Sequence, residues 1–307
     1  MMAYLHILRP KNLIIVGITQ WILYQFIILA FIDQPSLDGF LFSLLVLDTI
    51  LIAASGYIIN DIKDAETDLV NKPSKTYVPS IISIKNAYRY YFLLLTSGLI
   101  LAIYIAYSIS NLPLVVIYPF ACGLLYLYSS RYKNSIIIGN VLVSIFVALV
   151  SGIIFFAERN SITLLSDHIK MWLIIELFVA YMVFSFAVNM IREIIKDIED
   201  IEGDTAAGLT TYPIKYGTEA AKKLAVAFSG GTIIFLILWM ITTTIAMDLR
   251  IYVFLLLLVA SPLVVIIQIL TKTTGKRDFS KISAILKYIM LAGLVSIILI
   301  SSILTKV

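Results

Sequence analysis

The sequence predicts an all-α, polytopic membrane protein, and three observations carry that prediction. Of its 307 residues, 61% are hydrophobic and only 14% charged, and the mean hydropathy is +0.99; a soluble domain is about half apolar and about a quarter charged. The apolar residues fall into continuous runs close to the ~20 residues that carry a helix across the hydrocarbon core. They do not alternate or stop after about ten residues, as the strands of a membrane barrel do.

Taken in order, the runs give nine spans: Leu13–Ile32, Phe40–Ile59, Tyr90–Ser108, Leu114–Tyr128, Ile136–Phe156, Met171–Ile191, Leu224–Met247, Ile251–Leu270 and Ile285–Leu304. The first follows Arg9 and Lys11 as a signal peptide would. It is longer than a signal core and lacks a small-residue cleavage site after it, so it reads as retained. The second and sixth end abruptly on acidic residues. The fourth is the shortest and starts at or just before Pro113.

Lys and Arg accumulate in cytoplasmic loops, and that bias fixes orientation. With a cytoplasmic N-terminus and nine crossings, 19 of the 23 basic residues lie inside; only Arg159, Lys170, Arg250 and Lys306 lie outside. The expectation is one membrane-embedded domain over 1–307, nine helices around a central cavity, N-terminus cytoplasmic and C-terminus outside. Similar placement of the two acidic runs suggests a pseudo-repeat, 1–133 and 134–281, with the ninth helix at 285–304. The net charge of +4 follows from the loop bias, and no nucleic-acid signature is present. Cys122 is the only cysteine, which excludes an intrachain disulfide.

The acidic runs are IINDIKDAETD, Ile58 to Asp68, and REIIKDIEDIEGD, Arg192 to Asp204. The topology puts both on the cytoplasmic side. If each span continues as a helix, Asn60, Asp64 and Asp68 form an i, i+4, i+8 stripe with Asp61 beside it. Asp200 and Asp204 are likewise i, i+4, with Asp197 one turn earlier. Like charges at that spacing repel, and a divalent cation removes the repulsion. A few hard oxygen donors with room for water and phosphate suit Mg2+ better than an all-protein Ca2+ cage, and the absence of His or Cys at ligand spacing argues against zinc. Two alternatives stay open: a solvated helix end, and neutralisation without metal by Lys63, Lys196 and Arg192. Lys72 and Lys75 follow the first run and Lys215 the second; lysines there can hold phosphate oxygens or simply follow the loop bias, and Lys72 and Lys133 are the first candidates.

N-D-x-x-D-x-x-x-D after the second span and D-x-x-D-x-x-G-D after the sixth resemble the UbiA superfamily of intramembrane prenyltransferases. RPKN (Arg9 to Asn12), NKPSK, YSSRYK (Tyr128 to Lys133), the Gly139–Asn140 pair and TYPIKYG fit the same family in order. The resemblance implies transfer of an isoprenyl group from a prenyl diphosphate, geranylgeranyl diphosphate by expectation, to a lipophilic acceptor in the cytoplasmic membrane, with the active site opening to the cytoplasm. It implies two Mg2+ ions: Asn60 and Asp64 serving one, Asp200 and Asp204 the other, with Asp61, Asp68 and Asp197 completing the shells. Asp64, Asp68, Asp200 and Asp204 are then catalytic. Tyr128 is the first candidate to stabilise an allylic cation, ahead of Tyr126 and Phe186. Lys72, Lys75, Lys133, Arg192 and Lys196 are expected on the diphosphate, and Arg9, Asn12, Arg131 and Asn140 on the acceptor.

NKPSKTYVPSI departs from the family pattern, with lysines where relatives carry arginines and no closing glycine. Lysine keeps the charge but loses the bidentate fork. REIIKDIEDIEGD most resembles members that alkylate a glycerophospholipid precursor, the digeranylgeranylglyceryl phosphate synthase type, so a prenylglyceryl phosphate is the expected acceptor. A quinone-ring precursor, a terpene cyclase and a cation transporter are the alternatives. The transporter fits less well because carboxylates on ion pathways sit within the membrane. Here only Asp48 and Glu176 lie near span centres. His6 and His168 lie near span ends and read as solvated. No obligate protein partner is implied.

Overall fold

The computed structural model describes residues 2–65, 68–69, 76–243, 248–272 and 276–304. Among these the secondary structure is helical, with no strand. The principal helices are α1 (Pro10–Phe31), α2 (Gly39–Lys63), α3 (Ile84–Ser108), α4 (Leu114–Ser130), α5 (Ile138–Ala157), α6 (His168–Glu199), α7 (Thr218–Thr242), α8 (Leu249–Lys272) and α9 (Lys276–Leu304). Eight are long and apolar enough to cross a membrane; α4, at 17 residues, is apolar but shorter. Short helices at Met2–Ile7, Arg159–Thr163, Ile201–Ala206 and Tyr212–Tyr216 join them.

The apolar runs mark where the helices lie, but polar chemistry sets their ends. The α2 N-terminus begins after Asp38, whose carboxylate accepts from Leu41 N at 2.7 Å; Asp167 caps α6 in the same way. Such caps satisfy donors that have no partner in the first turn. The seventh helix starts at Thr218, six residues before the predicted span. Gly217, at φ 86, makes that start possible, a backbone angle suited to glycine. α1 and α8 each contain a π-turn, at Tyr24–Ile28 and Leu256–Ala260, that their apolar patterns do not reveal. α6 runs 32 residues, about 48 Å at 1.5 Å per residue. That exceeds the ~30 Å hydrocarbon core and carries the acidic run beyond it.

The chain divides into two compact units, the first comprising Met1–Trp21, Pro35–Asn134 and Phe156–Asn160, the second Ile22–Gln34, Ser135–Phe155 and Ser161–Val307. In the first unit, α2 packs against α3 and α4. Its C-terminal end is gathered by Ile7, Ile58, Ile59, Ile62, Val78 and Ile82. Gly98 on α3 makes room for Tyr118: a Cβ there would lie 2.1 Å from the phenol oxygen, which donates to Leu95 O at 3.1 Å. Asp48 is buried in α2, with Oδ1 unpaired among the described residues. At the opposite end, the fully buried Glu158 accepts from Ser36 N at 2.7 Å and Leu37 N at 2.9 Å. In the second unit α6 packs against α7 and α9, while α8 packs against both of those.

Candidate active site

In the first unit, α2 continues four residues past the predicted apolar boundary, through Asn60, Asp61 and Lys63, and Asp64 caps it. Asp64 N bonds Asn60 O at 2.9 Å and Asp68 N bonds Asp64 O at 2.8 Å. These are i→i+4 bonds, so Asn60, Asp64 and Asp68 stack on one stripe. Asn60 Nδ2 donates to Asp64 Oδ2 at 2.7 Å, and Lys133 Nζ ion-pairs with the same oxygen. The amide nitrogen is thus engaged by Asp64, and the amide oxygen is a hard donor by its chemistry. Thr76 then returns to the motif, donating to Asp68 O at 2.9 Å.

Asp61 faces a different partner. Its Oδ1 lies 2.9 Å from Arg9 Nη2, and the Arg9 guanidinium stacks over Tyr57 at 4.8 Å. Arg9 sits at φ 53, in the left-handed region, which costs a non-glycine residue about 1–2 kcal/mol. It joins Met2–Ile7 to α1. Lys63, offered as a neutraliser of the acids, instead stands 5.1 Å from the Tyr126 ring. Tyr128 is half-buried in the last turn of α4, Arg131 is its exposed C-cap, and Asn12 is exposed on α1. Lys72 and Lys75 lie outside the described residues.

The second unit builds its acidic face similarly. Asp200 N bonds Lys196 O and Asp204 N bonds Asp200 O, both at 2.9 Å, so the i, i+4 ladder runs through the end of α6 into Ile201–Ala206. Asp200 is exposed, with no side-chain partner among the described residues, and Asp204 is half-buried. Asp197 accepts from Asn140 Nδ2 at 2.7 Å. One turn on along α5, Ser144 donates to Asn140 O at 2.7 Å and accepts from Asn189 at 3.2 Å. Asn140, expected on an acceptor, therefore holds the first acid of the second motif. Arg192 and Lys196, expected on a diphosphate, both pair with Glu193, at 2.8 and 3.2 Å.

Sequence reasoning passed over Glu193, Ser144 and Asn189. Ser144 is i+4 from Asn140, and that spacing was the available signal.

Among the described residues, no three His, Cys, Asp or Glu form a preassembled metal cage. Among the described residues the donors nonetheless are of the kind magnesium takes: carboxylates on each helical ladder and the Asn60 amide oxygen. Such a set leaves coordination positions for water and phosphate oxygens, as Mg2+ prefers.

Residues 21–291 match the family described as the UbiA prenyltransferase family. The chain is 35% identical over 169 residues to a digeranylgeranylglyceryl phosphate synthase of Methanococcus aeolicus, covering 54% of this chain and 53% of that protein. The match to the Methanopyrus kandleri synthase covers 59% of that protein, so the chain aligns with little more than half the length of these two relatives. For the synthase of Thermococcus sibiricus the figures are 34% over 238 residues, 76% of this chain and 75% of that one. A solved structure concerning digeranylgeranylglyceryl phosphate synthase in membranes superposes with a TM-score of 0.68, 27% identity and 98% coverage of both chains. A UbiA homologue from Archaeoglobus fulgidus, bound to GPP and Mg2+, shares the fold at TM-score 0.62 and 20% identity, covering 96% of this chain and 99% of that one. The family match over residues 21–291, together with the shared fold, makes the chain a member of the UbiA prenyltransferase family.

Proposed function

We propose that this protein transfers an isoprenyl group, geranylgeranyl in the first instance, from a prenyl diphosphate to a prenylglyceryl phosphate in the membrane. The observation that carries the reading is the continuation of α2 and α6 as i→i+4 ladders of oxygen donors beyond their apolar lengths. The names of the relatives, digeranylgeranylglyceryl phosphate synthases, favour the glyceryl phosphate over a quinone-ring acceptor. Nine crossings, with the N-terminus and both acidic motifs cytoplasmic and the C-terminus outside, complete the arrangement, with α4 as the short fourth span. The correspondence of the two motifs supports the pseudo-repeat.

Asn60, Asp64 and Asp68 would hold one Mg2+ ion, and Asp197, Asp200 and Asp204 another. Bound there, the ions supply charge stabilisation for a departing diphosphate. Asn60 and Lys133 hold the Asp64 carboxylate in place, and Lys133 presents an ammonium group to phosphate oxygens beside it. Asn140 fixes Asp197. Tyr128 offers a ring face to the allylic cation. Lys72 and Lys75 contribute further charge to the diphosphate. The hydroxyl of the acceptor attacks the allylic carbon, the C–O bond to diphosphate breaks, and the hydroxyl proton is lost to solvent.

Purified protein with Mg2+ and geranylgeranyl diphosphate is offered geranylgeranylglyceryl phosphate, dihydroxynaphthoate or hydroxybenzoate separately. The expected result is Mg2+-dependent diphosphate release and a doubly prenylated lipid with the first acceptor. Product with an aromatic acceptor alone overturns the acceptor assignment. Absence of release with all three overturns the transferase reading.

A further inference from the structure

We propose that Asp61 stands outside the magnesium shell and acts as the anchor of Arg9, so that the pair presents a preset guanidinium to a substrate phosphate. This rests on the function proposed above and assigns a role the motif alone does not distinguish. Asp61 is the second residue of N-D-x-x-D-x-x-x-D and reads from sequence as one more metal carboxylate. Geometry separates it from the others. Asn60 and Lys133 both engage Asp64 within the stripe, whereas Asp61 has Oδ1 committed to Arg9 at 2.9 Å.

Three features converge on Arg9. Tyr57 and Asp61, one turn apart on α2, give the guanidinium a ring face at 4.8 Å and a carboxylate edge at 2.9 Å. Its backbone takes the left-handed angle of φ 53, uncommon outside glycine, at the junction between Met2–Ile7 and α1. The short helix before it is fixed on the same α2 end: Ile7 is buried against Ile58, Ile59 and Ile62, and His6 stacks on Tyr77 at 5.3 Å. Strained backbone persists where its surroundings over-determine it, and such sites gather at ligand clamps.

One Nη2 bond uses one of five guanidinium N–H donors. The other donors take no protein acceptor among the described residues, and the side chain is 44% exposed. Asp61 precedes Asp64 by three residues, which places the fork about one helical turn from the metal stripe. A planar fork held on one edge and one face, with its other edge open, matches a phosphate. Two sources share that chemistry: the phosphate of the glyceryl lipid and the diphosphate of the donor.

The test uses full-length protein in nanodiscs, as wild type, Asp61→Asn, Arg9→Lys, Arg9→Ala and the Asp61→Asn/Arg9→Ala double variant. Geranylgeranylglyceryl phosphate is titrated in EDTA and geranylgeranyl diphosphate in Mg2+, both by calorimetry; Mn2+ binding is followed by electron paramagnetic resonance. Asp61→Asn and Arg9→Ala should each weaken one phosphate ligand by about tenfold. The double variant should be no weaker than Arg9→Ala, Arg9→Lys should fall in between, and Mn2+ affinity should stay within about twofold of wild type. The titration that weakens identifies the source of the phosphate.

An Asp61→Asn variant with tenfold poorer Mn2+ binding and intact phosphate affinity would return Asp61 to the metal shell and overturn the proposal. Additive losses, or a wild type that binds neither phosphate, overturn it as well. Arg9-dependent phosphate binding without prenyl transfer leaves the pair standing and counts against the enzymatic reading alone.

Discussion

Asp64 shows how much one residue's role depends on its neighbours. Its Oδ2 accepts from both Asn60 and Lys133, so its charge is partly met before any metal arrives. Asp200, exposed on the other motif, is met by no side chain among the described residues. Asp64→Asn and Asp200→Asn should each lower the initial rate of diphosphate release by about 10²–10³-fold, the range for losing one preorganised charge at a transition state. Unchanged helical circular dichroism would accompany that loss; a rate near wild type for either variant would remove it from the metal set. Sequence spacing identified both carboxylates, since i, i+4 positions align on any helix. It did not identify Glu193 as the partner of Arg192 and Lys196, because a basic residue in an acidic run has several carboxylates in reach and only rotamers choose among them. Glu158 was equally illegible. Its two acceptor bonds go to Ser36 and Leu37, more than 120 residues away. Glu158→Ala removes the acceptor of the buried Leu37 N–H and the half-buried Ser36 N–H, a loss of about 1–3 kcal/mol, so a lower Tm in detergent is expected, whereas Glu158→Gln should recover part of it.

At the scale of helices, boundaries and contacts part company with hydropathy. α2 and α6 lie where the apolar runs place them, yet both extend into polar sequence because helical hydrogen bonds continue wherever no breaker intervenes. α3 and α4 meet through a contact that no periodicity encodes. Gly98 is the only residue type that fits beside Tyr118, since a Cβ would stand 2.1 Å from the hydroxyl and 2.5 Å from the ring. Gly98→Ala should therefore lower stability by about 1–3 kcal/mol through overpacking, read as a drop in Tm, even though alanine raises helix propensity. A Tm equal to or above wild type would show that the two helices can separate freely. α5 and α6 are joined by Asn140, Ser144, Asn189 and Asp197. Asn140→Ala removes the donor to Asp197. The expected result is weaker Mg2+ activation together with a modest loss of Tm, and activation identical to wild type would limit Asn140 to packing.

For the whole molecule, the bias of basic residues is the strongest constraint on orientation. The proposed nine crossings put 19 of the 23 basic residues on one side and require the short α4 to span; with eight crossings, the basic residues after it would change sides. A reporter fused after Val307 should therefore be active outside the cytoplasmic membrane, and one fused before Met1 inside. Cytoplasmic activity of both fusions would leave eight crossings and remove α4 from the bilayer.

The sequence by itself determined the solvent this chain folds in, the number of long apolar helices to within the short α4, the family and the two acidic ladders. Those features depend on composition and on spacing along one helix, which are local and carried by 61% hydrophobic content and a fixed 3.6-residue period. Only the tertiary structure decided partners. It gave Lys133 to Asp64, Asn140 to Asp197, Glu193 to Arg192 and Lys196, and Arg9 with Tyr57 to Asp61. Most of these pairs join segments far apart in the chain, where the direction of a side chain, set by packing of whole helices, determines which charge finds which.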